Sequence, residues 1–266
     1  MVNSRSDPSW DATLGDQVQP ASRVLTLNVS RINDFRRCRR MFFLRWVLRV
    51  AGVDDHESDA AWIGSSTHEA LHALHVVGAT EQHVGGEASL AMSATDPRVG
   101  QMIRTHMLLC PGGDAEYLGG EIEARWLLVR KAVLLTGRFD AVWRYPDGTV
   151  EVRDYKTGRC PDSLDDDLGA AIYLLLAANH PSAALSRSGA GPLRPVRVVY
   201  ESLASPDGRL VSVTATRTLL REALSEVVGL AEHIRREKTF PPTASASNCG
   251  SCSYKHSCPY SEARRD

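Results

Sequence analysis

The chain has 266 residues, 43% hydrophobic and 24% charged, a soluble globular composition that excludes wholesale disorder, a collagen-like fibre and a disulfide miniprotein. Thirty-one lysines and arginines against 32 acids leave a net charge of −1, so no whole-chain positive excess announces a nucleic-acid or membrane partner. One large domain, or a domain with an appendage, is expected at this length.

No stretch approaches ~18 consecutive apolar residues, and residues 1–20 lack the apolar core of a signal peptide, so a cytoplasmic location is the expectation. In that reducing compartment the six cysteines are poor disulfide candidates, and clustered ones read better as metal or cluster ligands.

Residues 1–27 are polar, contain Pro8, Gly15 and Pro20, show no sustained period, and read as a loose leader. From Ser30, a plausible N-cap, Ile32, Phe35, Phe42, Phe43, Trp46 and Val47 recur at roughly helical spacing, which predicts an amphipathic helix broken near Cys38. An acidic run at 54–59 precedes a second helix over 61–77, with Ile63, Leu71, Leu74 and Val77 packing inward. Residues 78–98 read as a linker, and a third helix covers 98–110.

Beyond Pro111-Gly112-Gly113 the pattern changes to strands at 121–131, 133–145 and 149–155, and Pro146-Asp147-Gly148 supplies hairpin-turn chemistry. The expected unit is a three-stranded meander. An apolar helix at 167–179, strands at 195–203 and 209–214, and a long helix at 216–237 follow. The remaining tail has no hydrophobic period, so something other than a core must hold it. The organised region is read as 28–260, with a short tail at 261–266.

Four constellations carry chemistry. Asp140 and Asp154 fall on neighbouring antiparallel strands, where the turn at 146–148 brings both carboxylates to one edge of the sheet. Lys156, two residues from Asp154, faces the same side. Two carboxylates and an ammonium suit metal-assisted hydrolysis: Mg2+ or Mn2+ takes oxygen ligands, and the ammonium orients water and offsets phosphate charge. A salt-bridged hairpin edge would use the same residue types.

His68 follows the small residues Gly64, Ser65, Ser66 and Thr67, which permit close approach of another backbone; His72 and His75 extend a helical stripe that fits packing or surface as well as zinc. Cys249, Cys252 and Cys258, three cysteines within ten residues of an aperiodic tail, imply a metal centre that supplies folding energy. A fourth ligand is required, with Cys38 the best candidate and His256 the alternative; spacing leaves zinc and iron–sulfur both open. Finally, seven arginines between Arg31 and Arg49 face Asp34 alone, and Arg36, Arg37 and Arg40 among the aromatic residues predict phosphate contacts with base stacking.

Taken in order, an arginine-flanked Cys38, a G-x3-H helix ending at His68, a GRFDAV strand carrying Asp140, a DYKTG strand carrying Asp154 and Lys156, a helix with a central Tyr173, and a closing C-x2-C-x5-C resemble a known pattern. It is that of the PD-(D/E)XK nuclease superfamily, specifically the RecB-like exonucleases with an iron–sulfur cluster, a group that includes AddB nuclease domains and the CRISPR-associated four-cysteine exonucleases. The resemblance covers about residues 28–260. It implies an α/β fold, a restriction-endonuclease-like mixed sheet flanked by helices, whose N-terminal helical part and C-terminal tail are joined by a 4Fe-4S cluster on Cys38, Cys249, Cys252 and Cys258.

The resemblance further implies that His68, Asp140 and Asp154 bind Mg2+ or Mn2+, that the Tyr155 backbone carbonyl is another ligand, and that Lys156 positions the water. Tyr173 matches the tyrosine of the family's Q-x3-Y helix on the DNA-binding side, but Gly169 stands where glutamine is usual. The implied reaction is exonucleolytic hydrolysis of single-stranded DNA in repair, recombination, phage replication or CRISPR adaptation, with a helicase, recombinase or integrase as the class of protein partner and no membrane. A non-catalytic DNA-binding subunit, with Gly169 as its support, and a zinc-containing nucleic-acid adaptor are the competing classes. The complete set of His68, Asp140, Asp154 and Lys156 favours the enzyme, because binding alone does not require it. No G-x4-G-K-[ST] phosphate loop is present, so nothing resembles a helicase.

Overall fold

The structure, a computed structural model, describes residues 24–52, 59–78, 96–180 and 195–263. Most of the expected leader, acidic run and linker therefore lies outside the described residues. A six-stranded mixed sheet forms the centre: β1 (Leu25–Leu27), β2 (Glu116–Leu128), β3 (Val133–Arg144), β4 (Val150–Lys156), β5 (Val196–Ser202) and β6 (Arg209–Thr214). β2, β3 and β4 make the expected antiparallel meander. β5 runs parallel to β4, which requires a crossover. Helix α5 (Leu168–Ala178) lies on that crossover, and β6 returns antiparallel to β5.

The other helices are α1 (Val29–Arg37), α2 (Arg39–Phe42, continued by a π-helical turn at Phe43–Val47), α3 (Asp59–Gly78), α4 (Pro97–Leu109), α6 (Arg217–Arg236) and the short α7 (Ala246–Gly250). Each start has a local cause. Asp96, Asp167 and Thr216 cap α4, α5 and α6 through their side-chain oxygens, and Pro97 opens α4 where no N–H is needed. Cys38, in extended conformation, breaks the basic helix where expected, but the cap of α1 is Asn28, whose Oδ1 accepts the Arg31 N–H at 2.8 Å, rather than Ser30.

Two cores sandwich the sheet. One packs α5, α6 and the aromatic residues Phe35, Phe42 and Phe43 against Phe139 and Val152. The other packs α3 and α4 through Leu71 and Ile103 against Trp143 and Tyr155. Ile63, Leu71 and Leu74 are buried as the period predicts, while the side chain of Val77 lies outside the described residues. The leader expectation needs correction at its end, since Leu25–Leu27 pair in parallel with Val133–Leu135 and Leu27 is fully buried. Three residues are too few for strand alternation to show in sequence. None of the described helices is long and apolar enough to cross a membrane.

Candidate active site

β3 pairs with β2 along nearly its whole length, so β1 and β4 share its other edge at opposite ends. The β3–β4 ladder stops at Ala141 opposite Arg153, and the next residues along the two strands are Asp140 and Asp154. The carboxylates therefore stand at a fork, where β4 leaves β3 and the edge opens into a cavity of about 760 Å3 lined by both aspartates, His68, Lys156 and Tyr173. Although they face a cavity, Asp140 and Asp154 are only 8% and 7% exposed.

Their partners come from both sides of the sheet. Asp140 Oδ2 accepts the Tyr155 N–H at 2.8 Å and lies 3.5 Å from His68 Nδ1. His68 Nε2 donates to the Tyr155 carbonyl at 2.9 Å. The helix that brings His68 there passes closely, for a Cβ added at Gly64 would sit 3.3 Å from Thr157 Oγ1. Lys156 Nζ is 2.5 Å from Asp154 Oδ2 and 4.1 Å from the centre of the Tyr200 ring.

Burial raises the pKa of Asp154; Lys156 opposes that rise and the Asp140 charge adds to it. Desolvation works against a protonated His68, but the hydrogen bond and charge of Asp140 outweigh it and lift its pKa. Tyr173 is pushed up by burial and by both aspartates, which keeps it a neutral hydroxyl. Crowded carboxylates beside an imidazole are a donor set that a hard divalent cation would relieve.

Sequence reasoning missed Glu121. Its ligand oxygen, His68 and Asp140 group within 4.8 Å, and its φ of +53° is rare for a residue with a side chain. The available signal was Gly119-Gly120 inside a strand, which marks irregular pairing; the β2–β3 register shifts between Tyr117 and Gly119. Also missed was Tyr200, whose hydroxyl donates to Asp167 Oδ1 at 3.0 Å beneath Lys156. It explains Gly169: a Cβ there would lie 2.9 Å from both the Tyr200 hydroxyl and Asp167 Oδ1. A larger residue at this position would have to displace one of these side chains.

The histidine stripe does not form one centre: His72 lines a neighbouring concavity beside Glu121 and His68, whereas His75 is buried against His106. Of the expected phosphate contacts on the basic helix, Arg37 and Arg40 meet the protein, and Arg36 stays exposed beside Glu226. Arg36 pairs with Glu226, Arg37 donates to the Asn248 carbonyl at 2.6 Å and to Ser251 Oγ at 2.7 Å, and Arg40 is buried between the Phe43 and Tyr260 rings. The arginines around the cavity are instead Arg125 and Arg138, contributed by β2 and β3.

Cys38, Cys249, Cys252 and Cys258 line a common pocket walled by Met41, Leu44 and Tyr254. Burial raises the thiol pKa of Cys252 and Cys258, and both feel the charge of Cys38. His256 is exposed, and Cys110 and Cys160 lie elsewhere.

A family model described as the PD-(D/E)XK nuclease superfamily matches residues 26–259. A search among curated proteins finds no match. Among solved structures, the chain is similar to a protein from Eubacterium rectale named as an exonuclease, at 11% identity over 82% of this chain and 84% of that one, with a TM-score of 0.46. It is also similar to a protein named SSO0001, at 16% identity over 92% and 91% of the two chains, with a TM-score of 0.38.

Proposed function

The chain belongs to the PD-(D/E)XK nuclease superfamily, and from that premise we propose that it hydrolyses phosphodiester bonds of single-stranded DNA from an end, using Mg2+ or Mn2+. The observation that carries this reading is the fork itself: Asp140 opposite Asp154, with His68 on one side and Lys156 on the other. Asp140, Asp154, His68 and the Tyr155 carbonyl would hold the ion, and Glu121 lies close enough to join them. When bound, the ion polarises the phosphoryl group and makes water a stronger nucleophile.

The rest is done by the chain. Lys156, held over Tyr200 and against Asp154, orients the attacking water and offsets charge as it develops on the phosphate. Arg125 and Arg138 at the cavity face the backbone phosphates, and Tyr173 lines the wall that the nucleotide meets. The four-cysteine pocket would hold a 4Fe-4S cluster that joins the chain ends.

The test is cleavage of end-labelled single-stranded DNA with Mn2+ by anaerobically purified protein. Asp140→Asn should abolish cleavage, and Lys156→Ala should lower turnover on the order of 10²–10³-fold while DNA binding persists. Wild-type cutting by Lys156→Ala would remove the lysine from the mechanism, and inert wild-type protein would favour the binding subunit.

A further inference from the structure

Behind the fork, on the opposite face of β4, lies a second set of metal-binding side chains. His106 and Cys110 sit one turn apart at the end of α4, a spacing that points both to one side of the helix. His75 reaches them from α3, and its Nε2 is 3.0 Å from His106 Nε2. Two imidazole nitrogens and one sulfur, all within 4.8 Å of one another, form a donor set suited to a borderline-soft cation and unlike the oxygen-rich set at the fork.

Two further observations point to a ligand. His106 Nδ1 is 2.7 Å from a Glu201 carboxylate oxygen, the carboxylate–histidine arrangement that fixes the tautomer and turns Nε2 toward a metal. The Tyr155 hydroxyl is buried with no hydrogen-bond partner among the described residues, although its ring packs 5.3 Å from His106 and it feels the charges of Glu201 and Cys110. A buried hydroxyl left unpaired is costly, and a fourth coordination position would use it.

We propose that His75, His106 and Cys110 hold a structural Zn2+ ion, with the Tyr155 hydroxyl facing the remaining position. Binding releases the Cys110 thiol proton, and the proton between the two Nε2 atoms passes to His75 Nδ1 or, from a protonated pair, to solvent, so that each ring ligates as a neutral imidazole. The ion pins α3, which carries His68, to α4 and through Glu201 to β5, so it fixes the helix that delivers His68 to the fork without touching substrate.

The test is metal analysis of the intact chain purified without chelators, followed by titration of the metal-free protein with Zn2+ and X-ray absorption at the zinc edge. One zinc per chain with two imidazoles and one sulfur is expected, together with a zinc-dependent rise in melting temperature. Cys110→Ser should lose that zinc and that rise while keeping its iron content. His75→Asn, a second variant in case Cys110→Ser fails to fold, should weaken zinc binding at least tenfold. Absence of zinc binding, or zinc bound by sulfur alone and unchanged in Cys110→Ser, would overturn the assignment and leave a buried hydrogen-bonded histidine pair.

Discussion

Glu121 holds a backbone conformation that L residues rarely adopt, at a cost of about 1–3 kcal/mol, and its carboxylate is turned toward His68 and Asp140. Its ion pair with Arg138, at 2.7 Å, leaves the arginine side chain 61% exposed, so that contact contributes little to stability. Glu121→Gly should therefore leave the melting temperature unchanged or higher while weakening Mn2+ binding about tenfold, as read by titration of Mn2+-dependent cleavage. Unchanged Mn2+ dependence would remove Glu121 from the metal site. Arg125 and Arg138 make the complementary case for substrate. Replacing both with alanine should flatten the salt dependence of single-stranded DNA binding by about 0.7 in log–log slope per lost contact, whereas Arg36→Ala should not.

At the scale of elements, the end of α6 is fastened to the basic helix by one carboxylate. Glu237 Oε1 accepts the Thr239 N–H and hydroxyl at 3.1 and 3.0 Å and the Phe240 N–H at 3.2 Å, and Oε2 meets Arg39 at 2.8 Å. The turn seats Phe240, whose φ is +44°, on the ring of Phe43 with centroids 4.9 Å apart. Burial alone would raise the Glu237 pKa, but these donors and Arg39 outweigh it and hold the carboxyl below its ordinary value. Because the folded pKa lies below the unfolded one, this stabilisation is complete above the ordinary glutamate range and is lost as pH falls through the folded value. Glu237→Gln should lose about 1–2 kcal/mol at neutral pH by denaturant unfolding, and the gap from wild type should close in acid. A gap that persists or widens there would contradict the ionised carboxylate as its source.

Across the whole molecule, the two ends of the described chain are joined side by side. Arg37 bonds to the Asn248 carbonyl 211 positions away, the Tyr254 hydroxyl donates to the Val50 carbonyl at 3.0 Å, and Cys38 Sγ accepts the Thr243 N–H at 3.4 Å. Beyond Phe240 and Tyr254 the segment buries little apolar surface, so a cluster on the four cysteines would add folding energy to the tail. Thiolate-ligated iron should give anaerobically purified protein a brown colour with broad absorbance near about 400 nm. Cys38→Ser should bleach it and expose residues beyond 240 to protease, while Cys160→Ser should do neither. A colourless protein with stoichiometric sulfur-bound zinc would replace the iron assignment.

Much of this architecture was legible in the residues because it depends on local spacing. The Pro146-Asp147-Gly148 turn between two apolar strands brings Asp140 opposite Asp154, and strand period 2 puts Lys156 beside Asp154. Cys249, Cys252 and Cys258 likewise stood out because an aperiodic tail leaves them little other structural use. What the sequence could not decide was which surface each polar side chain meets. Arg40 looks like any other arginine of a basic run until Tyr260, 220 positions later, closes over it. Glu151 and Arg153, which strand alternation alone would leave to solvent, are buried with Glu201 beneath α4. Glu121 and the His75, His106 and Cys110 set come together only when separate elements pack on the sheet. Local period determines which way a side chain points from its own backbone, and only tertiary packing determines what stands there to meet it.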